Sequence, residues 1–93
     1  MDLRSLWDQH RVAGWPKFSH PSEGELMTLD TVISGCATYY FDEQGLDAQR
    51  AVMLEHCLDD LDTLLPDVPE EAGEYFVRLR ALAGVLLETA RRG

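Results

Sequence analysis

The sequence predicts an all-α fold, an up-down bundle of three long antiparallel helices with a short N-terminal helix packed across it. Three observations carry this. Apolar residues recur at three- and four-residue steps through four segments. All four prolines fall between those segments or at their ends. The links at 44–46 and 66–67 are short enough to make their flanking helices antiparallel neighbours.

The first helix is expected over residues 2–13. Leu3, Leu6, Trp7 and His10 form its apolar side, Asp2 caps its start and Gly14 ends it. Residues 14–21 break the pattern, because Pro16 and Pro21 disfavour helix at Trp15 and His20. This link carries Trp15 and Phe18. Two readings follow: rings folded back over one end of the bundle, or an exposed hook for a partner.

The second helix is expected over 22–43. Ser22 and Glu25 match a capping box, and Leu26, Leu29, Ile33, Cys36 and Tyr40 share one stripe, widened by Val32 and Tyr39. Gly45 is the expected stop. The third helix spans 47–65, capped by Asp47 and ended by Pro66, with Ala51, Leu54, Leu58, Leu61 and Leu65 inward. The fourth spans 68–92. Asp67 and Pro69 open it, Glu70 and Glu71 suit its positive end, and Arg91 and Arg92 its negative end. Tyr75, Phe76, Leu79, Leu82, Ala83, Leu86 and Ala90 make its apolar face.

A chain of 93 residues makes one domain, read as a single helical unit over 1–93. Apolar residues are 45% and charged residues 27%, a globular balance rather than a disordered one. Seventeen acids against eight bases give a net charge of −9. That balance argues against binding nucleic acid or an anionic membrane, and it suits solubility or a basic protein partner. Thr31–Phe41 is the longest uncharged helical run, too short to span a bilayer. Asp2, Arg4 and Asp8 leave no apolar stretch for a signal peptide. With only two cysteines, a reducing cytoplasm is the expected compartment. Asparagine is absent and seven of the eight bases are arginine, a bias expected of a GC-rich bacterial genome.

Some apolar residues fall outside the core stripes. Val52 and Met53 point elsewhere on the third helix, with Cys57 and Leu64 at the stripe's edge, and Met27 and Phe41 lie off it on the second. Gly35 and Gly84 fall mid-helix on outer faces, where each costs about 1 kcal/mol relative to alanine. Scattered exposure and tolerated drift account for these positions. So does a second subunit that covers the apolar residues and closely approaches the glycines, most simply in a two-fold homodimer.

Residues 55–74 hold eight acids and no lysine or arginine. Glu55, Asp59 and Asp62 share one helix face. A solvated surface, a docking face for a basic protein and a cation site all remain open readings.

No motif for chemistry appears. C-x-x-C, H-E-x-x-H, G-x-S-x-G, the EF-hand spacing and the phosphate-binding glycine loops are all missing. His56 and Asp60 alone would make a weak metal site. Cys36 and Cys57 read as buried structural thiols, near neighbours across the turn at Gly45. His10 reads as a packing residue, and Tyr39, Tyr40 and Tyr75 as core or its edge. No cofactor, metal or catalytic residue is expected. The expected role is that of a small acidic interaction protein that self-associates and binds a protein partner. The alternative is an acidic inhibitor or immunity-type protein that neutralises a basic enzyme or a nucleic-acid-binding protein.

Overall fold

The structure is a computed structural model that describes residues 2–92. It is all-α, with α1 at Leu3–Val12, α2 at Glu23–Glu43, α3 at Ala48–Leu64 and α4 at Glu70–Arg92. A short 3-10 turn, Leu65–Asp67, links α3 to α4. α4 packs against all three other helices, and α3 also packs on α2. α1 has its start beside Phe41 and its end beside Asp30, so it runs against the direction of α2 rather than across the bundle.

The core is built mainly of leucine. Phe76, Leu26, Ile33, Leu54, Leu61, Leu79, Leu82 and Leu86 are completely buried. Each such side chain contributes roughly 1.5–3 kcal/mol through its burial. The buried stripes turn slightly from the expected ones. On α3, Cys57 is buried while Leu58 is only partly so. On α2, Ala37 is fully buried while Tyr40 packs at the edge. A helix with neighbours on two sides buries the flank facing each, and a single-stripe reading finds only their average.

Two caps form as the sequence implies. Asp2 Oδ1 accepts from the Ser5 amide at 2.8 Å, and Asp47 Oδ1 accepts from the Arg50 amide at 2.8 Å. The others differ. Ser22 makes no side-chain cap, because its ψ of 12° is not the extended backbone that aims a hydroxyl at the helix amides. Its own amide instead donates to His20 Nδ1 at 3.1 Å. α2 stops at Gln44, not Gly45. Gln44 takes the left-handed conformation (φ 58°), and its amide donates to the Tyr40 carbonyl at 2.7 Å. Gly14 is not the cap of α1, since Ala13 closes it, its amide N–H donating to the His10 carbonyl at 3.1 Å. α4 begins at Glu70 rather than 68. Val68 is extended (ψ 131°), as a residue before proline tends to be.

No helix is long and apolar enough to cross a membrane among the described residues.

Candidate functional site

The acidic block lies where α3 ends and α4 begins. Its acids come close to arginines that the block's own sequence lacks, because α4 brings them back alongside α3. Arg80 grips Asp62 in bidentate fashion, Nε to Oδ1 at 2.9 Å and Nη2 to Oδ2 at 3.2 Å. That hydrogen bonding holds the Asp62 pKa below the ordinary carboxylate value. Arg91 pairs with Glu55. Both pairs are exposed, so solvent screens them and each adds little to stability. The expected face of Glu55, Asp59 and Asp62 is therefore split, with two of its acids turned to α4.

Beyond these pairs the carboxylates stand open. Asp59, Asp60, Asp67, Glu70, Glu71 and Glu74 form no ion pair among the described residues. All but Asp59 and Asp60 lie on the 3-10 turn or the first two turns of α4. Glu70 and Glu71 suit the positive end of that helix, which makes their crowding tolerable. Among the described residues, no three histidine, cysteine, aspartate or glutamate side chains meet as a metal ion would require.

The other candidate residues do not join this surface. Val52 and Met53 are exposed side by side on α3, at 48% and 39%. They sit in the first half of α3, about two helical turns before Asp59 and Asp60. Gly35 is exposed on α2, with nothing within 4 Å of where a Cβ would stand. Gly84 is different. A Cβ there would stand 2.9 Å from Arg80 Nη1, so the missing side chain leaves room for the guanidinium that holds Asp62. Gly84 thus has a local role within α4.

Trp15 and Phe18 do not project as a hook. Both pack on the core, edge-on to Phe76 with ring centroids 5.5 and 5.7 Å away. Trp15 also stands edge-on to Tyr75 at 5.5 Å, and its indole N–H donates to Glu23 Oε2 at 3.3 Å. Each such aromatic pair adds about 0.5–1.5 kcal/mol beyond area burial.

A polar cluster beside these rings was not legible as such in the sequence. Asp30 on α2 accepts from three side chains. His10 Nε2 lies 2.6 Å from Oδ1, the Tyr75 hydroxyl donates to Oδ2 at 2.5 Å, and the Ser34 hydroxyl donates to Oδ1 at 3.3 Å. His10 is only 4% exposed. Burial works to raise the Asp30 pKa, but the hydrogen bonds from His10 and Tyr75 outweigh it, and the carboxyl stays below its ordinary value. Burial, then the hydrogen bond to Asp30, pushes the Tyr75 phenol well up. An ionised carboxylate only accepts, so His10 donates from Nε2. Its Nδ1 is buried without a partner. The cluster ties α1, α2 and α4 together.

Cys36 and Cys57 are free and buried. Burial raises both thiol pKa values, and Cys36 adds to the rise at Cys57, as near neighbours would. Both are thus poor nucleophiles.

Compared with models of known families, with curated proteins and with solved structures, the chain shows no significant match.

Proposed function

We propose that the protein is a small helical interaction module that docks a basic protein partner on the acidic end of its bundle. The observation that supports this is the group of open carboxylates at Asp59, Asp60, Asp67, Glu70, Glu71 and Glu74. Nearby acids of the same block are occupied by arginines from α4. A net charge of −9 adds long-range attraction for a basic protein. Such binding is fast and sensitive to salt. The same surface suits an inhibitor that neutralises a basic enzyme or a nucleic-acid-binding protein. Two free thiols fit a reducing cytoplasm as the place of action.

The test is affinity capture from the host at low salt and at about 1 M salt, where the Debye length falls to about 3 Å. Wild-type protein is expected to retain one basic protein at low salt and release it at high salt. The Glu70→Gln/Glu71→Gln/Glu74→Gln variant is expected to lose it. Undiminished retention by that variant rejects the docking surface. Assaying the captured partner with and without this protein separates docking from inhibition.

Self-association is a second reading, supported by the neighbouring exposed side chains of Val52 and Met53. The total accessible surface is 5515 Å². A lone folded chain of this mass is expected to show about 5,400 Å². A dimer is thus an added contact rather than a need of the core. Sedimentation of wild type beside Val52→Ser/Met53→Ser tests it. A dimer that survives 1 M salt and dissociates in the variant is the expected result.

A further inference from the structure

α1 packs more closely on α4 than on α2, so side chains such as Arg4 over Phe41 and His10 to Asp30 span a wider seam between α1 and α2. A cleft of about 300 Å³ lies there, lined by Arg4, Trp7 and Arg11 from α1 and by Thr38, Phe41 and Asp42 from α2. That is the space of about ten water molecules, at the small end of ligand sites. It sits toward the end of the bundle where α2 finishes, away from the open acids.

The two walls of the cleft carry opposite chemistry. The polar groups of the α1 wall are donors: two guanidiniums and the Trp7 indole N–H. The α2 wall accepts, through the Asp42 carboxylate and the Thr38 hydroxyl oxygen. The Thr38 proton is already given to the Ser34 carbonyl at 3.0 Å, which leaves its lone pairs for a ligand. Trp7 and Phe41 supply apolar surface, and the Arg4 guanidinium lies 5.1 Å from the centre of the Phe41 ring. Asp8 Oδ1 meets Arg4 Nε at 3.5 Å and Arg11 Nε at 3.4 Å. One carboxylate oxygen shared between two guanidiniums, each with five N–H donors, leaves most of those donors unmet by Asp8. A simple anion would face Asp42 in this cleft, and a simple cation would face two arginines. A small molecule that carries both signs and an apolar group matches every part of the lining.

We propose that this cleft binds a free α-amino acid with an aromatic or large apolar side chain. Its carboxylate meets Arg4 and Arg11, its ammonium meets Asp42 and Thr38, and its side chain lies against Trp7 and Phe41.

The experiment is an NMR titration of the full chain with L-phenylalanine. Phenylacetate, phenethylamine and glycine are the controls, lacking in turn the ammonium, the carboxylate and the ring. Saturable shifts are expected at the Trp7 indole and at the amides of Thr38, Phe41 and Asp42, with Kd about 1 mM or tighter. Each control is expected to bind at least about tenfold more weakly, as the loss of one charged hydrogen bond or of the ring's contact with Trp7 and Phe41 requires. Arg11→Gln and Asp42→Asn, both exposed positions, are expected to keep the folded spectrum and to weaken phenylalanine by about tenfold each. The proposal is overturned by no saturable shift up to about 10 mM. It is equally overturned by shifts confined to other residues, by a control that binds as well as phenylalanine, or by folded variants that bind as well as wild type.

Discussion

Around Leu54, Leu61, Leu79 and Leu82 the bundle is wholly apolar, whereas around Asp30 it holds a carboxylate, an imidazole and a phenol. The two regions share α4, which sends Leu79 and Leu82 to one and Tyr75 to the other. Burial of leucine is strong but non-directional, so the apolar centre stabilises the bundle without dictating where a short helix attaches. The polar cluster is directional. Asp30 has two oxygens, and their geometry accepts His10 from α1 and Tyr75 from α4 in one arrangement. What the contrast teaches is that the long helices are held by area, and α1 is located by hydrogen bonds as well as by Leu3 and Leu6.

The largest expected effect breaks the apolar side. Leu82→Ala removes a completely buried side chain and should destabilise the protein by about 2–5 kcal/mol in urea unfolding. This loss should be nearly the same at pH 7 and pH 3, because no titrating group is involved.

Asp30→Ala comes next, at about 2–3 kcal/mol at pH 7, since it leaves the His10 and Tyr75 donors without their acceptor. Its sign with pH is fixed by the depressed Asp30 pKa. The stabilisation is complete above the unfolded carboxyl's value of about 3.9 and is lost as pH falls through the lower folded value. The gap between wild type and variant should therefore shrink in strong acid. Tyr75 works at the other end. Its raised pKa keeps its contribution whole below about pH 10 and withdraws it as pH rises through the folded value. A gap for Asp30→Ala that stays constant with pH would mean that the carboxylate is not what locates α1.

The smallest effects concern the outer surface, which neither region covers. Gly35→Ala meets open space and has no left-handed backbone to strain, so it should stabilise by about 1 kcal/mol, roughly 4–8 °C in Tm. Gly84→Ala should gain less. Its Cβ must displace the Arg80 guanidinium, and the exposed pair with Asp62 is weakened in exchange. A fall in Tm for Gly35→Ala together with loss of a dimer would instead show that a second chain packs against α2.

The four helices were legible because their apolar residues repeat at helical steps, two of their three breaks fall at prolines and the third falls at Gly45. The caps at Asp2 and Asp47 were legible for a local reason too, since an aspartate side chain reaches an amide three residues on. Gln44 was not. Gly45 satisfies the usual rule for a helix end, yet the chain turns one residue earlier, at some cost in backbone strain. Nor was the division of the acidic block. Glu55 and Asp62 differ from Asp59 only in facing α4, and their arginines lie 36 and 18 residues away in sequence.

The sequence by itself determined helix positions, helix count and net charge, because these depend on residues within a few places of one another or on composition alone. Only the tertiary structure decided that Asp30 lies inside, that Trp15 and Phe18 fold onto Phe76, that Gly84 clears space for Arg80, and that a wider seam separates α1 from α2. Each of these depends on which helix faces fall opposite one another, and on the distances that then separate residues remote in the chain.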